Sequence, residues 1–475
     1  MKKDLTLPEE SISLKIKLNF SMGSLASDIL NGLVFANLTY FYNIKLGANA
    51  ELLLIGWLIF AIWNTANDPI ASYFVDNTRT KIGRRIPYIR YGSIFYGLSF
   101  IFCWFPIAPL NNQLGLFLNF LAALFLLDTM FTIVGVCFFS LPNEIAVSSK
   151  QRASLGVYRS VVSFINIGFG LVLPIMLLAG QAGVHPLFGP IIIITGLVCA
   201  LILFITSFGI KENLFAQLQP HEGFIEGLKL TLKNKPFWIL MIPAFILAIV
   251  LPIFNTGLLY YLDYIIVGQS PLLIVIGLLI GIIIGLILNL KMIVKWQPKK
   301  TMIINLIFVA IGAFLLFILG RDASLASISY FLIGIGFAGG LVANIVLMGD
   351  VIDNDELITG KRREAVYGGV NAIVTKPAIS IANSLFLFMI GIFGFVPPII
   401  IGDVSFNQPQ DELAKTGILV ILCIIPAFLL LLSALAMRWY PLDGPEWIKK
   451  KKFMFQLHEQ KEKDYLQSLE RKKDT

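Results

Sequence analysis

The chain has 475 residues, 57% of them hydrophobic and only 14% charged, with a formal net charge of +8. A soluble domain averages about a quarter charged residues. This composition therefore excludes a water-soluble globular domain and leaves an integral membrane protein with little soluble mass.

The N-terminus, MKKDLTLPEES, is polar and lacks an apolar core followed by a cleavage site, so no signal peptide is expected. Twelve apolar stretches follow, near 18–43, 51–76, 88–110, 115–146, 154–180, 188–210, 237–264, 270–290, 301–320, 326–349, 364–396 and 414–440. A helix needs roughly 20 such residues to cross a bilayer. The longest connector, KENLFAQLQPHEGFIEGLKLTLKNKP at 211–236, divides them into two sets of six. The expected organisation is an N-terminal six-helix bundle (1–210), a cytoplasmic central loop (211–236), a C-terminal six-helix bundle (237–440) and a basic cytoplasmic tail (441–475). Within the connector, LFAQL and GFIEGLKLTL suit amphipathic helices at the membrane surface. Tyr40, Phe41 and Tyr42 are expected at a membrane interface, where aromatic belts form.

The cations set the orientation. With both termini in the cytoplasm, the 37 Lys and Arg fall on cytoplasmic segments except for Lys45, Arg321 and Lys415 on the far side and Arg159 and Lys376 within spans. That is the positive-inside pattern, and it accounts for the net charge without nucleic acid. The four cysteines lie inside apolar runs and read as small buried hydrophobes. His185, His221 and His458 lie outside the spans, which leaves no histidine for a metal site or a Ser-His relay within the membrane. Repeated pore-lining rings, which a channel would use, are not evident.

Ionisable groups inside spans are costly and mark functional sites by default. They are Asp28, Asp68, Asp128, Arg159, Asp263 and Lys376. The densest stretch is WNTANDPIASYFVDNTRTKIGRRIPYIRYG, residues 63–92. Asn64, Asn67 and Asp68 stand at i, i+3 and i+4, so they share one helix face. They offer amide and carboxylate oxygens to a hard monovalent cation, and Asp68 alone could carry a proton. A polar patch joining two helices is the simpler alternative. Pro69 removes a helical hydrogen bond beside these ligands. The loop DNTRTKIGRRIP then sets Asp76 against Arg79, Arg84 and Arg85, either as a conformational latch or purely as a topology signal. Asp263 reads as a solvated surface acid near the outer water layer.

The same residues resemble a known family. The paired sets of spans with the acidic-basic loop between spans 2 and 3 resemble the major facilitator superfamily. WNTANDPIASYFVDNTRTKIGRRIPYI resembles its glycoside–pentoside–hexuronide cation symporters, the family of melibiose permease. MGDVIDNDELITGKRREAVYGGVNAIVTK (348–376) is similar to that family's acidic loop between spans 10 and 11 with the following lysine. SLPNEIAVSSKQRASLGVYR (140–159) and YYLDYIIVG (260–268) are similar to its span 4–5 turn and span 7 end.

The resemblance implies a cation site of Asn64, Asn67, Asp68, Thr132 and Lys376, with Asn64 standing where the pattern has an aspartate. It implies a sugar site at Asp28, Phe139 and Arg159. Phe139 replaces a tryptophan, Ser27 a lysine, and Gly135 the span 4 aspartate. Asp128, two turns before Gly135 on about the same face, is assigned to the solute site as its substitute. Asp28 and Arg159 could equally pair only to hold two helices, Asp128 could be a structural hydrogen-bonder, and Lys376 could merely neutralise Asp68.

The implied fold is all-α, with twelve transmembrane helices in two bundles. The implied function is symport of a sugar or glycoside with H+ or Na+ by alternating access in the plasma membrane. With Asn64 in place of an acid and Lys376 nearby, the negative charge is short for sodium, which favours a proton. Beyond a sodium ion at that site, no metal and no cofactor is expected. The expected partners are the solute and membrane lipid, not nucleic acid, and the protein is expected to be a monomer. Because the sugar pocket is altered, a lysolipid carrier of the same fold stands as the alternative.

Overall fold

The structure, a computed structural model, describes residues 12–456 except 79, 81, 146–148, 181, 211–230, 361–362, 403 and 455. Some helical side chains, including those of Asp76 and Phe139, also fall outside the description. The described helices are α1 (Leu14–Tyr40), α2 (Ala50–Asn77), α3 (Ile86–Trp104), α4 (Gln113–Ile145), α5 (Ser149–Leu178), α6 (Phe188–Gly209), α7 (Lys235–Tyr264), α8 (Leu272–Leu319), α9 (Ala323–Thr359), α10 (Glu364–Ile392), α11 (Glu412–Leu419) and α12 (Ile425–Ala436). A π-turn, Phe41–Lys45, extends α1, and another, Val420–Ile424, joins α11 to α12. The expected amphipathic helices of the central connector lie at 211–230, outside the described residues.

Among the described residues, eight helical stretches are long and apolar enough to cross a membrane. Helices α1, α3 and α5 do not meet that standard. For α1 its polar residues explain why: it carries Lys15, Lys17, Asn19, three serines and Asp28, whereas in α5 the described apolar stretch is the shorter Ile165–Leu178. A helix facing protein or a water-filled cavity can hold such groups, whereas one facing lipid cannot.

The sequence divides 270–290 from 301–320, and α8, 48 residues in all, is two helices joined end to end at a kink without an intervening loop. Straight, it would be about 72 Å long, well beyond a bilayer. It is broken at Gln297, whose φ is 68°, just before Pro298. Proline disfavours helical geometry in the residue before it. The break is fixed from both sides: Thr301 Oγ1 donates to the Gln297 carbonyl at 2.9 Å, and the Gly444 amide donates to Gln297 Oε1 at 3.0 Å.

α8 packs tightly on α9 because Gly277, Gly281 and Gly285 recur every fourth residue. A Cβ at Gly281 would stand 2.2 Å from the Phe331 carbonyl oxygen, and one at Gly277 2.5 Å from that of Ser327. Small residues at this spacing let helix backbones touch inside a membrane. Between the two arms of α8 Asn305 donates to Asn289, and both are buried.

Two groups of helices emerge. α1 packs on α5 and α6, α3 on α4 and α6, and α2 on α4. α7 packs on α10, and α8 on α9 and α12. The groups meet where α2 lies against α10 and α1 against α7.

The connections after α1, α5, α7 and α10 cluster at one end. There the chain also departs from the all-helical expectation, with an antiparallel hairpin of β1 (Ile399–Ile401) and β2 (Val404–Phe406). Tyr40, Phe41 and Tyr42 are not an interfacial belt. They are at most 2% exposed because they face inward, onto Tyr260, Trp104 and Phe120. The four cysteines are free and buried.

Candidate functional site

The polar residues of α2 face α4 and α10. Asn67 Nδ2 donates to Asp128 Oδ2 at 3.0 Å and to Thr132 Oγ1 at 3.1 Å. Thr132 Oγ1 in turn donates to Asp68 Oδ1 at 3.1 Å. From across the interface, Lys376 on α10 donates to that same Asp68 oxygen. Asn64 Nδ2 donates to the Lys376 carbonyl at 3.3 Å, and its Oδ1 is buried without a hydrogen-bond partner among the described residues. The structure thus brings Asn64, Asn67, Asp68, Thr132 and Lys376 into one network.

Helical spacing explains the convergence. Asn64, Asn67 and Asp68 occupy one face of α2, and Asp128 and Thr132 sit one turn apart on α4. α2 continues as helix through Pro69 to Asn77. Asn64, Asn67, Asp128 and Thr132 are nearly fully buried, while the Asp68 and Lys376 side chains keep 25% and 20% of their exposure.

One sequence assignment moves. Asp128, assigned to the solute, is bonded to Asn67 within this network. The count of a single carboxylate, on which the charge deficit rested, is therefore corrected. Two carboxylates and one ammonium leave a formal charge of minus one, which one monovalent cation or one proton balances.

The second pair, Asp28 on α1 and Arg159 on α5, lies apart from this group. Arg159 Nη2 is 3.8 Å from Asp28 Oδ1, a loose ion pair, and both side chains are more than a quarter exposed. Charged groups in mid-helix with that exposure suit a water-filled cavity, where they could hold hydroxyl groups. The Phe139 side chain lies outside the described residues. Among the described residues, the atoms nearest a Cβ at Gly135 belong to the Phe131 ring, at 3.5 Å and beyond. Packing therefore tolerates a side chain there, and the glycine is not demanded by the fold.

Of the latch residues, Arg79 and the side chain of Asp76 lie outside the described residues. Arg84 and Arg85 are 9% and 8% exposed, so both are drawn into the protein rather than held in water.

Asp263 is not a solvated acid. Its side chain is fully buried and accepts hydrogen bonds from Tyr40, Asn407 and the Gly180 amide. The sequence signal for this is ambiguous, since an acid at a span end reads equally well as surface. A further polar chain escapes sequence reasoning. Trp57 Nε1 donates to Thr39 Oγ1 at 2.9 Å, and the Thr39 and Thr256 hydroxyls donate to Asn383 Oδ1 at 2.7 and 2.9 Å. Its only sequence signal is the placing of Thr39, Thr256 and Asn383 in otherwise apolar runs.

Two helical groups meet at a polar interface between apolar spans, and this arrangement is a known fold of multi-pass membrane proteins. The chain superimposes on a D-xylose-proton symporter with a TM-score of 0.63 at 14% identity, over 90% of this chain and 97% of that one. It superimposes on an inward-facing, unoccupied bacterial homologue of the human lysosomal transporter Spinster with a TM-score of 0.61 at 15% identity, over 92% and 100%. At such identities the likeness concerns the fold alone.

Residues 19–444 match the family described as MFS/sugar transport protein, and the chain belongs to the major facilitator superfamily, among its glycoside–pentoside–hexuronide cation symporters. Its relatives include the putative glycoside/cation symporter YagG of Escherichia coli K12, 24% identical over a stretch that covers 54% of this chain and spans only 55% of that relative. The uncharacterized symporter YnaJ of Bacillus subtilis 168 is 25% identical over 97% of this chain and 98% of its own length. The inner membrane symporter YicJ of Escherichia coli K12 is 24% identical over 92% and 94%.

Proposed function

We propose that this protein is a cation-coupled symporter of a sugar or glycoside, working by alternating access in the plasma membrane. The observation that carries the proposal is the Asp68–Lys376 ion pair, which joins α2 of one helical group to α10 of the other. A cation arriving at Asp68 competes with the Lys376 ammonium for the same oxygen and so loosens a bond between the two moving halves. Solute binding favours the same rearrangement, and linkage makes the two effects reciprocal.

The coupling ion is a proton. Asp128 removes the charge deficit as an argument against sodium, but donor orientation argues for the proton. Asn67 turns its NH2 group, not its carbonyl, towards Asp128 and Thr132, and Lys376 holds an Asp68 oxygen. Sodium needs several oxygens gathered at one point, whereas a proton needs only Asp68 to be released. The solute is held by Asp28 and Arg159. Sugar as the solute class is supported by the family's description and by relatives whose names include a lactose permease and an isoprimeverose transporter.

Counting α8 as two crossings, on either side of Gln297, and α11 with α12 as one gives twelve spans. They fall into the bundles 1–210 and 237–440, joined by 211–236 and followed by the tail 441–475. Placing the Lys- and Arg-rich connections in the cytoplasm puts both termini there. The protein works as a monomer surrounded by lipid.

The test is uptake by vesicles containing the purified protein, with one panel of labelled mono- and disaccharides and glycosides and a second of labelled lysolipids. Saturable uptake of a sugar supports the reading. Uptake confined to lysolipids replaces it with an amphiphile carrier.

A further inference from the structure

The buried carboxylate of Asp263 has no part in the cation or solute sites, yet among the described residues it is the most heavily bonded acid at its end of the molecule. It sits in the last turn of α7. Asp263 Oδ1 accepts from the Gly180 amide at 2.7 Å. Asp263 Oδ2 accepts from the Tyr40 hydroxyl and, at 3.0 Å, from Asn407 Nδ2, and lies 3.9 Å from Lys45 Nζ. Of these four partners, Tyr40, Lys45 and Gly180 belong to the α1–α6 group. Asn407 belongs, with Asp263 itself, to the α7–α12 group. One carboxylate therefore ties the end of α1, the turn after α5 and the hairpin segment to α7. Gly180 reaches it with φ at +71°, a conformation that favours glycine.

The surrounding contacts cross between the groups in the same way. Tyr260 donates to Asn43 Oδ1 at 2.7 Å, and its ring packs edge-on against Tyr40. Ser405 donates to the Ile44 carbonyl, and the Gly183 amide donates to the Ser405 carbonyl at 2.8 Å. Beneath this layer Thr39 and Thr256 both donate to Asn383 Oδ1, Ser384 Oγ donates to the Leu54 carbonyl at 3.2 Å, and the Ala36 carbonyl lies 3.4 Å from Thr256 Oγ1. The two halves are thus closed on each other at this end in successive polar layers.

A buried carboxylate without partners is far more costly than a paired one, and water can replace protein donors only if the site opens. Because Tyr40, Gly180 and Lys45 all belong to one group, separation of the groups at this end would break their contacts with Asp263 together.

We propose that Asp263 is the keystone of the extracellular gate, a positioning residue that stabilises the outward-closed conformation through Tyr40, Lys45 and Gly180. This rests on the alternating-access reading above, with the end carrying the hairpin facing outward. Asp263→Asn keeps the shape and removes the charge that strengthens these bonds. It should shift the balance towards the outward-open form by on the order of tenfold or more. Tyr40→Phe removes one donor and should shift it in the same direction by less.

The experiment reads access to Ala36, which lies below the seal. Ala36→Cys is introduced into the wild-type, Asp263→Asn and Tyr40→Phe proteins in intact cells. A membrane-impermeant thiol reagent is then applied from outside. Faster labelling of Ala36→Cys in Asp263→Asn, smaller acceleration in Tyr40→Phe, and continued protection of Cys103, Cys137, Cys199 and Cys423 support the gate. Unchanged labelling in both variants overturns it. Labelling of the four native thiols together with Ala36→Cys also overturns it, because the effect would then be general unfolding. The readout needs no transported solute, so it stands or fails separately from the choice of sugar or proton.

Discussion

Asp68→Asn is the sharpest test of coupling through the ion pair. The substitution keeps the size of the side chain and the acceptor for Thr132, but removes the charge that holds Lys376. The proposed mechanism sets the stoichiometry: one cation displaces one ammonium from one carboxylate, which is one positive charge per cycle. With one proton per solute, each unit of imposed pH gradient supplies about 1.4 kcal/mol and supports about a tenfold solute gradient. Proteoliposomes containing the wild-type protein, with the outside more acidic by about two units, should therefore approach on the order of a hundredfold accumulation of tracer. The Asp68→Asn protein should level off at equal concentrations inside and out, while exchanging labelled for unlabelled solute across the membrane. Concentrative uptake by this variant at the wild-type ratio would refute the role given to Asp68.

Further expectations follow from the other contacts. Asp28→Ala removes a charged hydrogen-bond partner worth about 1.5–3 kcal/mol and should weaken solute binding at least about tenfold in isothermal titration, with cation dependence retained. Unchanged affinity would move the pocket elsewhere. Asn64→Asp adds a third carboxylate beside Asp68 and Lys376 and should raise the sodium dependence of uptake, whereas sodium-independent uptake identical to wild type would contradict the placing of position 64 in the cation site. Gly281→Val forces a side chain onto the Phe331 carbonyl, which a Cβ alone would approach to 2.2 Å. Overpacking of this kind costs about 1–3 kcal/mol or more and should lower the thermal-unfolding midpoint in detergent. A midpoint equal to wild type would mean that α8 and α9 separate freely.

Much of the site is legible in the sequence because it is local or rests on unusual residues. Asn64, Asn67 and Asp68 announce themselves as polar groups at helical spacing in an apolar run, and Lys376 as a cation where lipid would forbid one. The meeting of Asp68 and Lys376 across 308 positions is consistent with the motif resemblance, though no single-helix pattern encodes it. What the sequence does not supply is direction. Asp128 lies on α4 one turn from Thr132 and so turns to Asn67, but the linear spacing to Gly135 suggests the solute side equally well. Asp263 and Tyr40 mislead for one reason. Position at a span end suggests contact with water, and only the folding of the hairpin and the α5–α6 turn over that end buries them. The bend at Gln297 is legible as a boundary through the basic, proline-containing WQPKK stretch. Composition does not show that helix resumes at once beyond it, because that depends on the backbone angles of Gln297 alone.

If a proton on Asp68 displaces Lys376 and so drives solute entry, the ion requirement of the wild-type protein must show it. The decisive measurement is uptake of labelled sugar by wild-type proteoliposomes in sodium-free buffer under an inward proton gradient, beside a parallel series with a sodium gradient at uniform pH. Accumulation is expected in the first series, and it should collapse when a protonophore dissipates the gradient. Accumulation only in the sodium series, indifferent to pH, would contradict proton coupling and make Asn64 Oδ1 and Asp128 ligands of a metal ion.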